Sequence, residues 1–232
     1  MVLRLDHIDI RQGDFHLGAD FALPAGSFTA ITGPSGGGKS TLLSVIAGFW
    51  PVTSGKLYWQ GSDLTDLPPE QRPVSILFQD NNLFPHLTLR QNLTLALRPA
   101  LRPSAAEAAQ IEDALTRVGL AGLSARKPAQ LSGGQQSRAA LARLLLEARP
   151  IVLLDEPFAA LGPAQRHDML DLAAATLRSE RQTMLMVTHD PQDAARVADH
   201  LVLVADGTAH APRPVAEALA DPHPALAAYL GD

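Results

Sequence analysis

Nine consecutive residues, Gly33-Pro34-Ser35-Gly36-Gly37-Gly38-Lys39-Ser40-Thr41, constrain the fold of this chain more than any other stretch. They fit the spacing GxxxxGK[ST], which needs a strand before it and a helix after it. The glycines let the backbone pass close to phosphate oxygens with its amides turned inward. A helix that starts at the motif aims its positive end at the same anion. Lys39 supplies a point charge to the outer phosphates, and Ser40 places a hydroxyl on Mg2+. The flanks agree with this. Ser27–Ile31 is an apolar, strand-like run, and residues 39–47 read as a helix burying Leu42, Leu43, Val45 and Ile46. Gly48 is the expected stop.

The rest of the chain extends that strand–loop–helix unit. Strand-like runs cover 3–10, 19–23, 57–59, 74–78, 151–154, 183–187 and 201–204, the last closed by an Asp206-Gly207 turn. Continuous apolar runs such as Ile151-Val152-Leu153-Leu154 suit strands buried on both faces. Residues 82–148 are expected to be helical, with a Ser104/Glu107 capping-box pattern and a stop at Gly119. A second strong helix is expected over 134–148. Pro163 fits the first turn of another helix. The last twenty residues read as short helices broken by Pro222 and Pro224. Strands alternating with helices indicate an α/β fold with a largely parallel sheet. The expected layout is one domain over 1–232, with 1–81 and 149–232 as core and antiparallel β part, and 82–148 as a helical insert.

Asp155 and Glu156 close the apolar run 151–154. Ligands of an open parallel sheet gather at the carboxyl ends of its strands. Asp155 there would support Mg2+, and Glu156 would polarise an attacking water. Composition excludes several alternatives. Cysteine is absent, so there is no disulfide framework or thiolate metal site, as expected of a reducing cytoplasm. The net charge of -5 disfavours nucleic acid as a partner. No leading apolar segment suggests a signal peptide, and no apolar run is long enough to span a bilayer.

Leu131-Ser132-Gly133-Gly134-Gln135 then opens the second strong helix. With this pentapeptide the chain resembles the nucleotide-binding subunits of ABC transporters, and the resemblance covers essentially the whole length. It implies a P-loop ABC cassette acting as an ATPase on ATP and Mg2+. Two copies would pair head-to-tail, and the signature pentapeptide of each would close on the γ-phosphate held by the other. Gln79 matches the family's Q-loop glutamine, which touches Mg2+ and the attacking water. His189 matches the switch histidine on the γ-phosphate. Two positions depart from the pattern. The stretch Ile10–His16 has no Tyr to stack on adenine, and Phe15 is the aromatic candidate. Gly162 stands where the family usually has the D-loop Asp. Gln136 and Ser137 replace the common Arg and Gln, with no consequence that follows from the residue types.

The segment Arg72–Thr88 resembles the ATP-binding subunits of bacterial thiamine importers, as do residues 185–189 and 202–207. The implied cargo is thiamine or its phosphates. Importers of iron(III), polyamine, sulfate and similar solutes are the alternatives, ahead of a soluble ABC ATPase or a non-hydrolysing cassette. The implied partners are an integral-membrane permease and, through it, a periplasmic substrate-binding protein. The implied place is the cytoplasmic face of the inner membrane. Residues 82–98 are the expected permease face, with Leu83, Phe84 and Leu87 as apolar contacts.

Overall fold

The computed structural model describes residues 2–79 and 82–230. Asp80 and Asn81, which adjoin the expected 81/82 boundary, lie outside the described residues. The first strands are β1 (Val2–Gln12), β2 (Phe15–Pro24) and β3 (Phe28–Thr32), followed by α1 (Lys39–Ala47), β4 (Ser54–Trp59), β5 (Ser62–Asp63) and β6 (Val74–Leu77). Three helices come next: α2 (Leu89–Leu97), α3 (Ala105–Arg117) and α4 (Gly133–Glu147). Then follow β7 (Ile151–Asp155), α5 (Pro163–Ser179), β8 (Thr183–Val187), α6 (Pro191–Val197) and β9 (His200–Ala205). The chain finishes with β10 (Thr208–Ala209), β11 (Arg213–Pro214), α7 (Val215–Ala220) and α8 (Pro224–Leu230).

The described strands form one sheet in the order β5-β4-β1-β2-β10-β9-β3-β8-β7-β6, with β11 paired to β9. The run β9-β3-β8-β7-β6 is parallel, and β1, β2, β4 and β5 form an antiparallel part. Strand β10 joins the two, antiparallel to β9 and parallel to β2. The alternating side chains of the parallel strands explain their unbroken apolar sequences. Ile151, Leu153, Leu185 and Val187 face α1, which contributes Leu42, Leu43, Val45 and Ile46. Val152, Leu154, Met184 and Met186 face the other way, into one cluster with Leu93 of α2, Leu115 of α3, Leu141 of α4 and Leu170 of α5. Full burial of one such side chain contributes about 1.5–3 kcal/mol. The helical block therefore shares its core with one face of the sheet rather than owning a separate one.

Several boundaries differ from the sequence expectation. Strand β2 begins at Phe15 rather than near residue 19, because its first residues pair with the far end of β1 (Gln12 with Phe15). Pro224 starts α8 instead of breaking a helix; a proline at the first helical position lacks only an amide that would have no partner there. Helix α6 was not anticipated, since seven residues capped by Asp190 are too short to show a helical period. Helix α1 spans the expected residues, and Gly48 closes it in the left-handed conformation at φ 88°. Buried Arg72 then donates to the carbonyls of Val45 and Ile46 at 2.6 and 3.0 Å, covering the negative end of that helix.

Candidate active site

The glycine loop is built against β9. Gly33 has φ 142°, and a Cβ there would lie 2.0 Å from the carbonyl oxygen of Val204. Only glycine fits. The loop folds back through a 3.1 Å bond from the Gly37 amide to the Pro34 carbonyl. Gly38 caps α1 with no side-chain hydrogen bond, so no side-chain oxygen competes for the start of the helix. Lys39 is buried, and its Nζ donates to the carbonyls of Gly33 and Pro34, both at 2.8 Å. Burial lowers the pKa of the ammonium, while the charges of Glu156 and Asp155 oppose that shift.

The acids arrive from β7, beside β6 on one side and β8 on the other. The Ser40 hydroxyl donates to Asp155 Oδ1 at 3.0 Å, across 115 residues of sequence. Burial raises the pKa of the Asp155 carboxyl; Ser40 opposes this, Glu156 adds to it, and Lys39 opposes it. Glu156 sits in the left-handed region at φ 48°, a backbone cost of about 1–3 kcal/mol for a non-glycine residue. Such strain is held where the surrounding structure over-determines it. Here the Glu156 amide bonds to Val187 O at 3.3 Å, and its carboxylate meets His189 Nε2 in a very short contact. Phe15, Ser35, Gly36, Lys39, Glu156 and His189 line a cleft of about 480 Å³. A second cavity of about 240 Å³ lies on the far side of Glu156 and His189, bordered by Arg166, Asp190 and Asp193.

The signature residues are held elsewhere. Ser132 caps α4, accepting from the Gln135 amide, and the Gln135 side chain accepts from the Ser132 amide. Gly133 and Gly134 occupy the first two helical positions, next to Leu161 and Gln165, with no Cβ contact closer than 3.6 Å. Neither the signature residues nor Gln79 lines the cleft. Gln79 is exposed, just past β6. One chain thus carries a phosphate cradle and a separate glycine-led helix start that its own cradle does not use. A sequence model of the ABC transporter family matches residues 17–159.

The chain belongs to the ABC transporter family.

It is accordingly an ATPase of a transporter. The Thiamine import ATP-binding protein ThiQ of Cereibacter sphaeroides is 61% identical over 99% of this chain and 100% of its own length. The protein of the same name from a Ruegeria species is 54% identical over the same shares. Among solved structures, the ADP conformation of an ATP-binding cassette of an ABC transporter superposes with a TM-score of 0.88 at 26% identity, covering 100% of this chain and 99% of that one. The dimeric post-hydrolysis state of another cassette, bound to ADP and Pi, gives 0.75 at 30% identity, covering 93% and 99%.

Within this ABC cassette the structure also corrects the expected apolar contacts. Leu87 is buried, and Leu83 packs against the core that includes Leu89 and Leu93 of α2. Phe84 alone of the three stands out, 44% exposed. Two rings absent from the sequence expectation join the exposed apolar surface: Phe49, 54% exposed, and Phe78, with centroids 6.2 Å apart. Phe15 does face the cleft, its ring against Gly38. Sequence reasoning missed three long-range side-chain contacts, the last two beside the site. Arg143 of α4 donates to the Asn82 carbonyl at 2.6 Å, Arg166 of α5 pairs with Asp190 and Asp193, and Tyr229 of α8 meets His189. Each is a contact between segments 24 or more residues apart, which no local pattern records.

Proposed function

We propose that this chain is the ATP-hydrolysing subunit of an importer of thiamine or its phosphates. The reading of the site rests on one arrangement. Ser40 in the first turn of α1, Asp155 and Glu156 at the end of β7, and His189 just past β8 converge at the mouth of the Gly33–Thr41 cradle. The cargo rests on the 61% identity to a thiamine import ATP-binding protein along essentially both chains.

The cradle amides of Gly36 to Thr41 and the Lys39 ammonium would hold the phosphates of ATP. The Ser40 hydroxyl and the Asp155 carboxylate are hard oxygen donors 3.0 Å apart, a set that suits Mg2+. Gln79 would join them when the segment after β6 closes inward. Bound Mg2+ offsets charge on the phosphate oxygens. Glu156 would accept a hydrogen bond from the attacking water and orient it in line with the γ-phosphate. His189 Nε2 would leave Glu156 and donate to a γ-phosphate oxygen. Phe15 offers a ring face to adenine.

The signature, Leu131 to Gln135, would serve the cradle of a second copy, giving a two-fold head-to-tail dimer with two ATPs between the subunits. Segment 82–148 would move as a helical subdomain against 1–81 and 149–232. Phe49, Phe78 and Phe84 would seat a short helix of the permease, since exposed apolar patches mark interaction sites. Among the described residues no helix is long and apolar enough to cross a membrane. As the subunit of such an importer, the chain would sit peripherally on the cytoplasmic face of the inner membrane, reaching a periplasmic substrate-binding protein only through the permease. Nucleic acid has no part in this.

Uptake of labelled thiamine tests the proposal. Cells lacking the chain are complemented with wild type or with Glu156→Gln. The expected result is lost uptake that wild type alone restores. Undiminished uptake in the deletion strain, with no second thiamine carrier present, would remove the thiamine assignment and move the search to iron(III), polyamine or sulfate.

A further inference from the structure

The last helix among the described residues touches a residue of the candidate active site. Helix α8 is anchored by Leu226, 2% exposed, in a cluster with Ala194 of α6, Leu203 of β9 and Val215 and Ala218 of α7. Three residues after Leu226, on the same side of the helix, Tyr229 points its phenol at His189. The hydroxyl donates to the His189 carbonyl at 3.0 Å, and the same oxygen lies 3.3 Å from His189 Nδ1. The two residues are 40 positions apart.

His189 needs such a partner. It sits in the connection between β8 and α6. Its neighbours are fixed: the Thr188 amide bonds to Ile31 O at 3.1 Å, the Thr188 hydroxyl to Asp193 Oδ2 at 3.0 Å, and Asp190 caps α6. The imidazole itself is 42% exposed and turns about two side-chain bonds. Its Nε2 edge faces Glu156, the edge that reaches the cleft. The opposite edge, Nδ1, faces the phenol. A ring whose second nitrogen is held keeps one orientation and one proton position. Burial raises the pKa of the Tyr229 phenol, so the hydroxyl keeps its proton and remains a donor.

We propose that Tyr229 is a positioning residue for hydrolysis: it holds the backbone and ring of His189 so that Nε2 meets the γ-phosphate, and thereby sets turnover without contributing to nucleotide binding. The proposal rests on the reading of His189 as the γ-phosphate contact. In one conformation the phenol donates to the carbonyl and can accept from Nδ1–H, which leaves the ring free to donate from Nε2 only when both nitrogens carry protons. In the other the phenol donates to Nδ1, which fixes the proton on Nε2, the donor required toward a phosphate oxygen. Either way the C-terminal helix governs the histidine, although it adds no side chain to the cleft itself.

The test uses the full chain assembled with its permease. ATP turnover, KM for ATP, ATP affinity and thermal midpoint are measured for wild type, Tyr229→Phe, His189→Ala and the double variant. Tyr229→Phe keeps the ring and removes only the hydroxyl. The expected result is a fall in kcat of about fivefold, the scale of one hydrogen bond. KM, affinity and thermal midpoint stay at wild-type values, and adding Tyr229→Phe to His189→Ala produces no further fall. Wild-type kcat in Tyr229→Phe, with turnover lost in His189→Ala, would overturn the role of Tyr229 and leave that of His189 standing. Wild-type kcat in His189→Ala would remove the reading of the histidine and this inference with it. A fall in kcat accompanied by equal losses of affinity and thermal midpoint would make the phenol a support of the fold, and would also overturn the proposal.

Discussion

Helices α1 and α4 both begin at glycines, yet their first turns are finished in opposite ways. The start of α1 is Gly38 in the left-handed conformation, with no side chain supplying a cap. The start of α4 is closed by its own capping box, in which Ser132 and Gln135 satisfy each other's amides. The glycines differ as well. Gly33 cannot carry a side chain, because Val204 occupies that space. Gly133 and Gly134 meet nothing in their own chain closer than 3.6 Å, so this chain's packing does not demand glycine there. The start of α1 is left open on the cleft, with no side chain of its own closing it. The signature start is closed by its own cap, and its two glycines leave open the face that the proposed second copy would approach.

Substitutions at the two helix starts sharpen that contrast. Gly33→Ala carries the largest expected effect: a clash with backbone at a positive φ costs at least ~3 kcal/mol. The thermal midpoint should fall and ATP binding should be lost in calorimetric titration. Gly134→Ala should do the reverse. Alanine gains roughly 0.5–1 kcal/mol of helix propensity over glycine, so the midpoint holds or rises. Turnover of the assembled transporter should still fall roughly 100-fold, because a methyl displaces the phosphate approaching from the partner. If Gly134→Ala lowers the midpoint as much as Gly33→Ala, the comparison fails. Phe15→Leu tests the α1 side more finely. It keeps contact with Gly38 and removes the ring face, and ATP affinity should fall about tenfold, the scale of one base stack. Ser132→Ala is the smallest. Loss of the cap should cost about 1 kcal/mol in denaturant unfolding, with ATP binding by the same chain unchanged.

The parts legible in the sequence are those in which neighbouring residues act together. The cradle, α1 with its Gly48 stop, and the carboxylate strand 151–155 need contiguous backbone, so their spacing carries the chemistry. The α4 cap was legible only as family signature; its Ser132–Gln135 bond is the same local kind. Features made across the fold were not legible. Tyr229 reaches His189 over 40 residues, and a terminal tyrosine shows no pattern of its own. Phe49 and Phe78 carry no local signal of exposure, since phenylalanine is usually buried; they stand just past the ends of α1 and β6. Leu83 and Leu87 erred in the other direction. They lie in the expected docking segment, yet Leu87 is buried and Leu83 packs against the core. Gln79 was legible only as a match to the family's Q-loop glutamine; it lies just past β6, exposed and outside the cleft.

The central claim is that each cradle is completed by the signature of a second copy. Its most direct measurement is the solution mass of Glu156→Gln, with and without ATP and Mg2+, beside that of Glu156→Gln combined with Gly134→Asp. The account predicts 24.7 kDa without nucleotide and a doubled mass with it for the single variant. The combined variant should bind ATP in its intact cradle yet keep the mass of one chain, because a carboxylate at the helix start repels the partner's γ-phosphate. A doubled mass in the combined variant, or an ATP-loaded single variant that stays at the mass of one chain, would contradict it.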